Sequence, residues 1–204
     1  RVKIDKEDLP ELDLTQARLA GLSITRTLLD GLKAPGVDLS GCALSDSSFE
    51  GANLEGALLA GAQAGGASFV RANLRGAKMQ RLSAPAADLR GADLDGADLR
   101  EAALPDASFA EATLKKAQLD RADLGRARFA AADLRGATAV AAILRYADLS
   151  HARLDLSDLR DADLEQANLH RATRDGVKLG GANLKDVSET DPELAKAEDF
   201  KPKR

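Results

Sequence analysis

The sequence predicts an all-β solenoid of square cross-section. Three observations carry that prediction: an apolar residue recurs every five positions, an alanine precedes it by two, and the longest echo falls at 20 residues. From Ile4 to Leu184 the five-residue beat gives 37 positions, and 32 of them are Leu, Phe, Ile or Met with no slip of register. The exceptions are Ala34, Ala64, Ala84, Ala139 and Arg174. Two residues before each centre, from Ala52 to Ala182, 24 of 27 positions are Ala, and all 17 Gly follow a centre by one or two.

Ala, Leu, Arg and Asp in such numbers favour helix by propensity, but the period forbids it. At about 100° per residue, leucines five apart advance by about 140° each time and would cover every face of a helix. In an extended segment the Ala and the Leu two residues later point to the same side. A unit such as Ala92-Asp93-Leu94-Asp95-Gly96 is therefore a very short strand with two inward residues. The Gly-rich pair after each centre supplies the turn, where positive φ costs Gly little. The central phenylalanines, Phe49, Phe69, Phe109 and Phe129, are separated by multiples of 20. Four units then make one coil, with a Phe stack up one side of the core. Ser48-Phe49-Glu50-Gly51-Ala52-Asn53-Leu54 returns as Ser68-Phe69-Val70-Arg71-Ala72-Asn73-Leu74, in agreement. Roughly nine coils at about 4.8 Å make a rod on the order of 40 Å long.

These Ala-(Asp/Asn)-Leu-X-X units resemble the pentapeptide repeat family over about Ile4 to Leu184. The resemblance implies a right-handed quadrilateral β-helix. It also implies a choice of roles, because the family includes topoisomerase-binding DNA mimics, resistance proteins and secretion-associated domains. Residues 1–187 are read as the β-helix and 188–204 as a capping helix with a basic tail. Thr190 or Asp191 suits the N-cap, Pro192 the first helical position, and Glu193 to Asp199 a short helix laying Leu194 and Phe200 over the last coil. Lys201-Pro202-Lys203-Arg204 reads as a disordered tail. At the other end Val2 and Ile4 are already on the beat, so an upstream cap or domain is expected before Arg1.

Composition narrows the function. With 29 basic against 33 acidic side chains and a net charge of -4, no large positive excess is present to bind nucleic acid directly. One Cys excludes an internal disulfide framework, and no stretch is apolar enough for a membrane span or signal segment. Bacterial cytoplasm is the expected compartment. Nothing interrupts the five-residue beat to form a catalytic loop, so no enzyme, cofactor or metal is assigned. His151 and His170 share a side in consecutive coils near Asp148 and Arg171, a pair that could hold a metal or an anion. Lacking a third ligand, they read as solvated surface histidines. Cys42 takes an inward, Ala-type position and reads as a small buried hydrophobe. Asn53, Asn73 and Asp93 stack every 20 residues and read as hydrogen-bonding to turn backbone between coils.

A DNA mimic needs an acidic stripe along one side, spaced like phosphates. The Phe-bearing side has seven acidic residues against four basic, and the other three are nearly even. Dimerisation could still assemble its acids Asp8, Glu11, Asp30 and Glu50. Two other features depart from the mixed background. Gly65, Gly66, Ala84, Pro85, Ala86, Ala103 and Pro105 make one side flat and almost free of long side chains. Val140, Ile143 and Tyr146, with Leu156 farther along the coil, are outward apolar residues of the kind that mark contact sites. The expectation is a non-enzymatic protein-binding scaffold, the repeat module of a larger and secretion-associated bacterial protein, with homodimerisation open. The alternative is a DNA mimic that binds a type II topoisomerase and protects it.

Overall fold

The structure is a computed structural model and describes residues 13–199. The segments read above as an open N-terminal end (Val2, Ile4) and a basic tail, together with Phe200, Asp8 and Glu11, lie outside the described residues.

Every residue one before a centre pairs in parallel with the residue 20 positions on, from Asp13 with Lys33 through Asn168 with Ser188. The strand of each unit is thus reduced to a single paired residue, and four units complete each coil. The reason so short a strand suffices lies in the backbone hydrogen bonds. In the unit 92–96, Asp93 N–H donates to the coil before (Ala72 O, 3.0 Å), while Leu94 and Gly96 donate to the coil after (Thr113 O, 2.7 Å; Lys115 O, 2.9 Å). Ala92 N–H closes the preceding turn on Leu89 O at 3.1 Å. The fifth donor, Asp95 N–H, is taken by the carboxylate of Asp93 at 3.1 Å. All five amides of the unit are satisfied, as a buried wall requires.

The Asp or Asn before the centre therefore serves its own coil, which corrects the expected role between coils. Asn73 Oδ1 does the same for Arg75 N–H, and only its amide reaches across to Asn53 Oδ1, at 3.1 Å. At several units where Ser or Thr replaces Asp, an Asp of the preceding coil takes over. Asp120 accepts Val140 N–H and the Thr138 hydroxyl, Asp155 accepts Asp175 N–H and the Thr173 hydroxyl, and Asp30 accepts Glu50 N–H and the Ser48 hydroxyl.

Each turn is a four-residue turn with positive φ at its third residue, as type II requires. That residue is Gly96 (φ 69°) in one turn but Tyr146 (φ 59°) or Leu156 (φ 62°) in others. Coil closure imposes the conformation whether or not glycine is there to accept it.

Inside, the Ala and Leu columns are buried throughout the middle coils. Phe49 stacks on Phe69 with centroids 5.2 Å apart, and Phe109 on Phe129 at 4.7 Å, both pairs nearly parallel. The second distance is that of adjacent strands, so the rings follow the pitch of the backbone. Two of the irregular units explain themselves. In Leu32-Lys33-Ala34 and Leu82-Ser83-Ala84 the large and small inward residues exchange places, and all four are buried. The volume inside the coil is conserved, the kind of change a core tolerates best. Cys42 is fully buried, as expected, and its thiol lies 3.0 Å from Leu19 O.

The ends differ from the middle. Helix α1, Pro192–Asp199, begins as expected, with Asp191 Oδ1 accepting the N–H groups of Glu193 and Leu194. Among the described residues it leaves the last coil uncovered. Leu194 is 49% exposed, and Leu184 beneath the expected cap is 44% exposed. Instead α1 turns back along the outer wall, where Arg171 donates to Ala195 O, Glu198 and Asp199. The physical reason is composition: its sequence PELAKAED offers one large apolar side chain but three carboxylates, and Arg171 on the wall pairs with two of them, Glu198 and Asp199.

Candidate interaction surface

The rigid wall fixes where each outward residue stands, so the candidate surfaces follow from their position in the 20-residue coil. Ile143 and Tyr146 lie on one side and are 44% and 50% exposed. Val140, at the end of the preceding side, is half-buried, because Asp120 of the coil before holds its N–H. Leu156 is exposed but does not join them. Ten residues past Tyr146 is half a coil, which puts it at the opposite corner, leaning over Gly176, where an added Cβ would come within 2.9 Å of its Cδ2. The apolar surface therefore narrows to the Ile143–Tyr146 side.

The flat side also changes. Ala84 belongs to the core, being a centre with no exposure, and is not part of that surface. Gly65, Ala103 and Pro105 are half-buried, while Pro85 is exposed beside Gly66 and Ala86 at the corner. Pro85 lies over Gly65, 3.4 Å from where a Cβ would stand. The four phenylalanines expected in the core are at most 1% exposed.

Charge on the wall is largely spent within the wall. Arg75 pairs with Asp93 and Asp95, Arg126 with Asp106, and both Arg135 and Arg153 with Asp133. Asp88, Asp98, Asp133 and Asp158 are each gripped by the Arg two residues on, and that hydrogen bond holds their carboxyls below the ordinary range, Asp158 down to about 2. A surface groove of about 460 Å³ on the Phe side is lined by Glu50, Arg71, Asp88, Arg90 and Glu111 among others, with Glu50 paired to Arg71 and Asp88 to Arg90. No helix among the described residues is long and apolar enough to cross a membrane.

Reading the sequence alone missed one cluster. His170 is not a solvated surface histidine, for it is 6% exposed, covered by the segment leading into α1. Its Nδ1 accepts Asp191 N–H at 3.2 Å, and its Nε2 lies 3.4 Å from Glu198 Oε2. His151 Nε2 stands 3.6 Å from the same oxygen. The third group that the histidine pair lacked is thus supplied by the tail. The signal available was an acidic helix following Arg171, whose direction the sequence does not give.

A five-residue unit with these inward and capping positions matches the model of pentapeptide repeats in 8 copies, over residues 23–59, 38–76, 52–83, 87–126, 122–161 and 157–186. The chain belongs to the pentapeptide repeat family. Among solved structures it is similar to HetL, a pentapeptide repeat protein involved in heterocyst differentiation regulation in the cyanobacterium Nostoc sp. strain PCC 7120. That likeness has 27% identity and a TM-score of 0.59, and covers 89% of this chain and 92% of that one. QnrB1, a plasmid-mediated fluoroquinolone resistance protein, shares the fold at 21% identity and a TM-score of 0.54 over 88% of this chain and 92% of that one. No curated protein matches the sequence. As in other members of the family, the fold is a right-handed quadrilateral β-helix, here carrying a short C-terminal helix.

Proposed function

We propose that this pentapeptide repeat chain is a non-catalytic, protein-binding scaffold of a bacterial cell, and that it meets its partner on the Ile143–Tyr146 side. The observation that carries the reading is the exposure of those two apolar residues together on one side of one coil, where the charges of the wall are largely paired. The other exposed leucines of the wall, Leu22, Leu28, Leu58 and Leu156, stand in other coils or at the opposite corner. Exposed apolar side chains on a rigid element mark contact sites, and such a wall loses little conformational entropy on binding. The likeness to HetL, whose described role is regulatory, supports a partner in a bacterial regulatory process.

The alternative, mimicry of DNA toward a type II topoisomerase, draws on family membership and the shared fold of a fluoroquinolone resistance protein. It calls for a continuous run of unpaired carboxylates, whereas Asp93, Asp95, Asp106 and Asp133 are each paired with basic side chains. The test compares proteins captured from bacterial lysate by the native chain and by the Ile143→Asp, Tyr146→Asp double variant, with circular dichroism to show that both are folded. A protein held by the native chain and lost by the variant supports the scaffold. A captured set that the variant leaves unchanged overturns the assigned surface, and a type II topoisomerase within that set supports the alternative.

A further inference from the structure

We propose that His151, His170 and Glu198 bind one divalent transition-metal ion of the zinc type, and that the ion clasps α1 to the wall of the β-helix. The three side chains come from two successive coils and from the tail, so no local motif announces them. Their donor atoms converge: all lie within 4.8 Å of one another, and the two imidazole nitrogens are 3.6 and 3.4 Å from the carboxylate oxygen. Ligands held about 2.0–2.2 Å from a tetrahedral zinc stand about 3.3–3.6 Å apart, so those two separations already suit an ion between them. Two imidazoles and a carboxylate form a donor set for zinc, cobalt or nickel rather than for calcium or magnesium, which prefer oxygen throughout. The imidazole rings meet edge to face, with centroids 5.6 Å apart and planes at 74°, which leaves the nitrogen of each free of the other ring.

Two features of the site oppose the ion, and both can yield. A backbone N–H only donates, so the contact with Asp191 N–H fixes the His170 proton on Nε2. Binding through Nε2 moves that proton to Nδ1 and gives up one long hydrogen bond. Arg171 also donates to Glu198, at 3.0 Å, but it holds Asp199 through both oxygens and the carbonyl of Ala195 besides. It therefore keeps α1 in place when Glu198 turns to a metal. His151, about half exposed, leaves the fourth coordination position open to water.

The experiment is calorimetric titration of the untagged full chain with Zn(II), repeated with Co(II), whose absorption reports the coordination geometry. One ion per chain and a tetrahedral cobalt spectrum are expected. His151→Ala and Glu198→Gln, both partly exposed and remote from the core, should each weaken binding by at least the roughly 10–100-fold that even an outer-shell change costs. Zinc should also slow tryptic cleavage after the exposed Lys196 in the native chain and not in Glu198→Gln. Absence of zinc binding overturns the site. Binding that survives Glu198→Gln, or leaves cleavage at Lys196 unchanged, overturns the clasp.

Discussion

Leu164 and Leu184 occupy the same position in successive coils, within Ala162-Asp163-Leu164-Glu165-Gln166 and Ala182-Asn183-Leu184-Lys185-Asp186. The first is fully buried and the second 44% exposed. Nothing in the unit itself accounts for the difference. Leu164 has a coil on each side, whereas Leu184 has one only, and the N–H groups of Leu179, Gly181, Leu184 and Asp186 find no acceptor among the described residues. In this chain burial is a property of stacking rather than of the unit.

The comparison is sharpest in its largest expected effect. Leu164→Ala should cost about 2–5 kcal/mol, the usual range for a buried leucine, and Leu184→Ala about 1 kcal/mol or less, in proportion to its partial burial. Urea unfolding of the two variants measures both, and equal losses would dissolve the distinction between middle and end. Acid should come next. Asp88, Asp98, Asp133 and Asp158 have depressed folded pKa values. Their stabilisation is therefore complete above the unfolded value of about 4 and is lost as pH falls through their depressed folded values, which for Asp158 means toward about 2. Thermal melts across that window should show a falling Tm, and Arg160→Gln should flatten the fall by releasing Asp158. A Tm constant over the window would mean that the Arg grip contributes nothing. The smallest effect belongs to Ser157, at an Ala-type position with its hydroxyl buried and without a partner among the described residues. Ser157→Ala should raise stability by about 1 kcal/mol, because no hydrogen bond is lost with the desolvated oxygen; a lower midpoint in the same unfolding assay would show that the hydroxyl has a partner.

What repeats was legible in the sequence. The period fixed the coil, the spacing of Phe49, Phe69, Phe109 and Phe129 fixed its four sides, and Asp191-Pro192 placed the start of α1. Cys42 was legible for the same reason, since its position in the unit leaves it nowhere else to go. Non-repeating contacts were not. Arg171 and Asp199 are 28 residues apart, and no period relates a wall to a tail, so the sequence sent α1 over the end of the coil and left His170 exposed. Leu156 failed differently: its place at the far corner follows from counting ten residues round the coil, and apolar character alone had grouped it with Tyr146. The side chain of Asp93 was read as binding backbone, which holds, but the coil it serves depends on an angle that pattern does not encode.

The parallel pairing of every residue with its neighbour 20 positions on makes this chain a two-coordinate measuring device. A duplication of 20 residues advances everything downstream by about 4.8 Å without rotating it. An insertion of one five-residue unit turns the same surfaces by a quarter. The Tyr146 side and the His151 corner are therefore set relative to each other by two whole numbers, coils and quarter turns. Gene duplication can dial either one while the cross-section of the core stays the same.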